Sequence, residues 1–167
     1  AAASPSTKPI IDLSERFLPV VARSGMVSGP EQLAAEIGAR ILREGGNAVD
    51  AAVATGFALA VTYPSAGNLA GGGFMLVHLA DENRQTLIDY RESAPAAASR
   101  DMFLDANGEL DHAREYFSLQ SAGVPGTVAG LLYALEKYGT LPREQVLAPA
   151  IALARDGIPV TFPLYFE

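Results

Sequence analysis

Glu44-Gly45-Gly46-Asn47-Ala48-Val49-Asp50-Ala51-Ala52, then Gly67-Asn68-Leu69-Ala70-Gly71-Gly72-Gly73-Phe74, then Asp89-Tyr90-Arg91-Glu92, make up the stretch from which the rest of this chain is read. Gly45 and Gly46 close one helix, because glycine takes the left-handed C-cap conformation at little cost. Asn47 caps the next helix, and Asp50 at its third position suits the positive end of the helix dipole. Val49, Val53, Phe57 and Val61 form its stripe, while Ala51, Ala52, Ala54, Ala58 and Ala60 fill the other faces. A helix apolar all round is expected to be buried, with neighbouring backbone brought close. Tyr63-Pro64 stops it, since proline disfavours helix at the residue before it. Gly71, Gly72 and Gly73 then permit backbone angles, and a closeness of approach, that no other residue allows. Phe74 to Leu79 reads as a strand buried on both faces, Asp81 to Arg84 as a polar turn, and Thr86 to Arg91 as the returning strand of a hairpin.

Upstream, Ser28-Gly29-Pro30-Glu31 has the form of a capping box. Leu33, Ile37 and Ile41 follow on one helical face, and Glu36 to Arg40 has the favourable i,i+4 order. Ile10 to Val21 reads as irregular, with room for a short strand at Leu18 to Ala22. The chain opens with Ala1-Ala2-Ala3-Ser4-Pro5, and residues 1–24 are expected to be an arm. Such a start fits a mature protein cut after an Ala-x-Ala site, or an engineered boundary. It lacks the basic start and apolar core of a signal peptide.

Downstream, Ser93 to Ser99 is a loop, Asp105-Ala106-Asn107-Gly108 a turn, and Asp111 to Tyr116 a charged, exposed segment. Gly123 to Gly126 leads into a helix over Thr127 to Tyr138, carrying Val128, Leu131, Leu132 and Leu135. Pro142-Arg143-Glu144 opens another, running to about Arg155, in which Pro149 predicts a kink or a break. Ile158 to Phe166 stays apolar and aromatic up to Glu167. Core-type residues at a chain end predict a fragment, or one chain of a larger assembly.

The 167 residues are about one domain's worth, 49% hydrophobic and 19% charged, which suffices for a packed core. A net charge of -7 argues against nucleic acid and anionic membranes, both of which require clustered Lys and Arg. The absence of cysteine excludes disulfides, thiolate metal sites and a Cys nucleophile, and leaves the redox compartment open. No apolar run spans a bilayer: the longest, Ala51 to Tyr63, is interrupted by Thr55, Gly56 and Thr62.

The glycine loop is no phosphate loop, for it lacks both glycine-rich nucleotide patterns and precedes a strand instead of opening a helix. His78 reads as a core or edge residue of its strand, and His112 as a solvated loop residue. Neither has a partner at metal-ligand spacing, and Gly-x-Ser-x-Gly is absent. Arg91 is the candidate site residue. Strand alternation would put it on the face of Asp89 and opposite Tyr90. An ion pair with Asp89 or Glu92 is one reading; the other is a planar fork that binds a ligand carboxylate at two points, which lysine does poorly.

Gly25-Met26-Val27-Ser28, the two glycine blocks above, Asp89-Tyr90-Arg91-Glu92-Ser93-Ala94-Pro95, Val124-Pro125-Gly126-Thr127-Val128-Ala129-Gly130 and Leu147-Ala148-Pro149-Ala150-Ile151-Ala152-Leu153-Ala154-Arg155-Asp156-Gly157 form an ordered series. Over roughly Gly25 to Val160 it resembles the N-terminal part of the large subunit of the γ-glutamyltranspeptidases. The resemblance implies an N-terminal-nucleophile hydrolase fold, a four-layer αββα sandwich of which residues 25–167 supply a part, completed by other chains. It implies a precursor that cleaves itself, and a small subunit whose new N-terminal threonine attacks a γ-glutamyl amide with its own amine as base. The acyl group then passes to water, an amino acid or a peptide. The position of Arg91 is that of the arginine binding the glutamyl α-carboxylate. No cofactor and no metal are implied, and a periplasmic or secreted location is.

Two departures stand beside this. No Thr-Thr/Ser-His-type junction occurs in the chain, so the catalytic nucleophile must come from elsewhere, and Thr161 to Glu167 fits the family pattern poorly. A glutaryl-cephalosporin acylase of the same family would suit the Arg91 fork equally. A non-catalytic fragment or binding module is the alternative from another class.

Overall fold

The computed structural model describes residues 19–160 and Leu164. Most of the arm and nearly all of the tail therefore lie outside the described residues; of the short strand expected at 18–22, residues 19–22 are described and carry none. The element order is α1 (Gln32–Arg43), α2 (Ala48–Thr62), β1 (Phe74–Leu79), β2 (Arg84–Asp89), α3 (His112–Phe117), α4 (Thr127–Tyr138) and α5 (Arg143–Asp156), with a 3-10 turn at Leu119–Ser121.

α2 is the hub, packing against α1, α4 and α5. Its composition explains this. Ala51, Val53, Ala54, Phe57 and Ala58 are buried around it, so three helices reach it at once; Ala48 and Ala52 are exposed, against the expectation of burial all round. On the α1 side a Cβ at Gly38 would overlap the Thr55 hydroxyl, which is itself turned back to donate to the Ala51 carbonyl at 2.8 Å. Ile41, Val53 and Val146 are the large apolar side chains sealed completely in this core.

Both ends of the α1–α2 junction are capped. At the start of α1 the cap is Glu31, whose carboxylate accepts from the Leu33 and Ala34 amides at 3.0 and 2.9 Å. The expected capping box on Ser28 is not formed, because the helix starts after Glu31 and leaves Ser28 outside it. Arg40 likewise pairs one turn onward, with Glu44 at 3.8 Å, while Glu36 accepts from the Gln32 side-chain Nε2 at 2.7 Å. Gly45 turns the chain at φ +95°. Asn47 then caps α2 in a complete capping box with Asp50, as the residues predict.

β1 and β2 pair antiparallel from Phe74↔Asp89 to Leu79↔Arg84. The second strand starts and ends two residues before the expected one: Arg84 belongs to the strand and Arg91 lies beyond it, since Asn83 at φ +44° completes the turn. The hairpin is buried on one face and not on two. Val77 and Ile88 face the helices, whereas Phe74, Leu76 and Leu87 are 57%, 71% and 62% exposed on the other side. One helical layer covers one face of a sheet. His78 is on the open face and exposed.

Between Pro95 and Gly123 the chain leaves the core. The Asp105 turn forms as read, its carboxylate accepting from the Asn107 and Glu109 amides at 2.8 and 3.0 Å, with Gly108 at φ +84°. His112 is not in a loop but opens α3, capped by Asp111; it remains exposed, 3.1 Å from Glu115. α5 runs unbroken through Pro149. The ring removes one amide donor, and the helix keeps its course because Val146 and Ala150 on either side are held in the core.

Candidate functional site

The hairpin ladder continues one residue past each strand. Gly73 and Tyr90 exchange backbone hydrogen bonds of 3.0 and 3.3 Å, so Tyr90 is the last residue held by the sheet. Gly71 turns its carbonyl to the start of α4, where it accepts from the Gly126 and Thr127 amides at 2.8 and 2.9 Å. These donors are otherwise orphaned at a helix N-terminus without a side-chain cap. The glycine loop is thus a backbone junction between sheet and helix. None of its three glycines has the positive φ anticipated from the sequence; closeness alone requires them. A Cβ on Gly72 would meet the Tyr90 carbonyl oxygen at 2.6 Å and the Glu92 amide nitrogen at 2.7 Å.

Arg91 leaves this frame directly after Tyr90. Its amide donates to Asp89 Oδ1 at 3.0 Å, a local turn just past the end of β2. Its Nε lies 3.3 Å from Glu92 Oε2, with the Arg91 side chain 69% exposed and that of Glu92 33%. Of the two ion-pair partners anticipated, Glu92 meets the guanidinium and Asp89 meets only the backbone. Among the described residues the terminal nitrogens of Arg91 make no hydrogen bond, and the side chain is largely exposed.

The sequence offers Glu92 only as an ion-pair partner and gives Tyr90 no role. Glu92 sits beside Gly72 and Gly123, close enough that a Cβ on either would touch its side chain. Tyr90 is wedged against α4, where a Cβ on Gly126 or Gly130 would overlap it, and burial pushes its phenol up from its ordinary value. The signal for this was the spacing of Gly126 and Gly130, four apart and so on one helical face.

The one buried carboxylate among the described residues, Asp50, lies elsewhere and is structural. Besides the Asn47 amide it accepts from the Thr140 amide at 3.0 Å, the Thr140 hydroxyl at 2.7 Å and the Leu141 amide at 3.2 Å. Asn47 adds a bond from its side-chain amide to the Tyr138 carbonyl at 2.7 Å. The α2 cap thereby grips the α4–α5 loop. Among the described residues no three His, Asp or Glu side chains are gathered where they could share a metal ion, and no described helix is long and apolar enough to cross a membrane.

A sheet end, a glycine junction and an exposed guanidinium meet on a frame of helices and a hairpin. The comparisons with known proteins give that frame its family. The gamma-glutamyltranspeptidase family model matches residues 34–165, and the chain belongs to that family. It is 54% identical to the glutathione hydrolase proenzyme of Escherichia coli strain K12 over 94% of its own length and 27% of that relative. Among solved structures, Helicobacter pylori gamma-glutamyltranspeptidase superposes with a TM-score of 0.83 at 46% identity, over 87% of this chain and 42% of that one. A cephalosporin acylase from Bacillus halodurans is more distant, at TM-score 0.74 and 32% identity over 98% of this chain and 29% of that one. The chain therefore spans about a quarter of the curated relative, and the fold is part of an N-terminal-nucleophile hydrolase sandwich: helices on one face of a sheet whose other face is open.

Proposed function

We propose that this chain is the glutamyl-binding part of the large subunit of an enzyme that transfers or hydrolyses the γ-glutamyl group of glutathione and related amides. The observation that carries the reading is Arg91: an exposed fork whose terminal nitrogens have no partner among the described residues, on a backbone held by two ladder bonds and a glycine junction. A free amino acid carboxylate is the planar, two-point acceptor such a fork suits. The relatives' names, a glutathione hydrolase proenzyme and a gamma-glutamyltranspeptidase, agree with this substrate class.

In this reading the remaining sequence supplies the small subunit and its N-terminal threonine. The threonine hydroxyl adds to the γ-carbonyl while its own amine takes the proton. That proton passes to the departing amine, and the resulting ester is opened by water or by the amine of an acceptor amino acid or peptide. This chain's contribution is orientation: gripping the α-carboxylate anchors that end of the substrate, so the γ-carbonyl is presented within reach of the threonine. In this reading the partial domain begins at about residue 25, and the protein is periplasmic or secreted.

The test is a two-by-two comparison in the complete protein: wild type and Arg91→Lys, each with a γ-glutamyl anilide and with an analogue lacking the α-carboxylate. Lysine keeps the charge and loses the planar contact. A desolvated pair of this kind contributes on the order of 2–4 kcal/mol, so kcat/KM for the γ-glutamyl substrate should fall by roughly 30- to 1,000-fold. The analogue should lose little. Equal losses on both would leave Arg91 only its surface pair with Glu92, with about 0–1 kcal/mol of stability at stake. A glutaryl amide, which keeps a carboxylate but has no α-amino group, run alongside separates the acylase reading from the γ-glutamyl one.

A further inference from the structure

We propose that Tyr90 is a positioning residue for Arg91: its ring, wedged between the sheet end and α4, sets the direction in which the guanidinium leaves the frame. The inference rests on the reading of Arg91 as the carboxylate-binding group. Arg91 itself has little to hold it. Its side chain is 69% exposed, and its single ionic contact among the described residues, with Glu92, is at the surface. Its direction must come from the backbone that precedes it.

That backbone is gripped on three sides at Tyr90. The ladder to Gly73 fixes its amide and carbonyl. From the helix side, Gly126 lies against the Tyr90 carbonyl and Gly130 against the base of the ring, each so close that any Cβ would overlap. From the sheet side, a Cβ on Gly73 would stand 3.0 Å from ring atom Cε2. The aromatic ring thus fills a slot whose walls are bare backbone from two elements, and a smaller side chain would leave that slot empty. Because interiors are close-packed, α4 and the end of β2 would then settle toward each other, and the Cα–Cβ direction of Arg91 would move with them. The phenol oxygen makes no hydrogen bond to the described residues, so the ring is the working part.

The experiment uses the complete protein and the same two substrates. Tyr90→Phe should match wild type on both. Tyr90→Ala should raise KM for the γ-glutamyl anilide about 10- to 100-fold more than KM for the carboxylate-free analogue, since a misplacement near 1 Å is enough for such a loss. Built into Arg91→Lys, the same change should add no further selectivity loss. Gly130→Ala, which presses the ring from the helix side, should act in the same direction and serves if Tyr90→Ala does not assemble. Equal effects on both substrates, or a fall in assembled protein with unchanged KM in the remainder, would overturn the inference and make Tyr90 a packing residue only. A selective Arg91→Lys beside a non-selective Tyr90→Ala rejects the positioning role alone; a non-selective Arg91→Lys rejects both.

Discussion

At the scale of single residues, Gly72 shows how a correct suspicion can have the wrong cause. Three glycines in a row suggested unusual backbone angles, yet Gly72 has an ordinary φ and is constrained by what lies next to it. This changes what substitutions should do. Were φ the constraint, β-branched valine would be much worse than alanine. With the Tyr90 carbonyl oxygen 2.6 Å from the Cβ position, Gly72→Ala already creates the clash. We expect Gly72→Ala to cost about 1–3 kcal/mol, as overpacking does, and Gly72→Val at least as much. Both should lower kcat/KM through the displacement of Glu92. Thermal melts and turnover of the complete protein check this; an alanine variant indistinguishable from wild type would mean that the strand pair opens without penalty.

At the scale of elements, α1 offers a pH test. Burial disfavours the ionised Glu31 carboxylate, but the Ala34 and Leu33 amides outweigh it and hold the group below its ordinary value. A carboxylate depressed in the folded state stabilises it above the unfolded pKa, and that contribution is lost as pH falls through the folded one. The cap should therefore act fully at pH 7 and fade below about pH 4.5. Glu31→Ala is expected to cost about 0.5–1 kcal/mol at neutral pH. The gap between the wild-type and variant melting temperatures should close toward pH 3; a gap independent of pH would show that Glu31 acts by packing.

At the scale of the whole molecule, the open face of the hairpin sets the expectation. Phe74, Leu76 and Leu87 form an apolar surface there, and Tyr133 and Ile151 are also more than half exposed. A two-stranded sheet with one bare apolar face is marginal in water. Residues 1–167 produced alone should therefore aggregate, or melt without a cooperative transition. A monomer with a sharp thermal transition would show that the α2 hub is enough. In the complete protein the same face is expected to be covered by the second sheet of the sandwich.

The sequence by itself determined the local punctuation: the Gly45 stop, the Asn47–Asp50 cap, the hairpin and the limits of α4. Each depends on residues within a few positions of one another, where propensity and hydrogen-bonding chemistry act directly. Its ordered motifs also identified the family. Tertiary structure alone decided the rest. Whether β1 was buried on one face or two depended on how many layers pack against it, which no local pattern encodes. That Asp50 holds Thr140, or that Gly126 and Gly130 make room for Tyr90, follows from where α2 places α4 and α5. Such contacts join residues far apart in the chain, and short-range periodicity carries no record of which distant backbone a bare glycine is keeping space for.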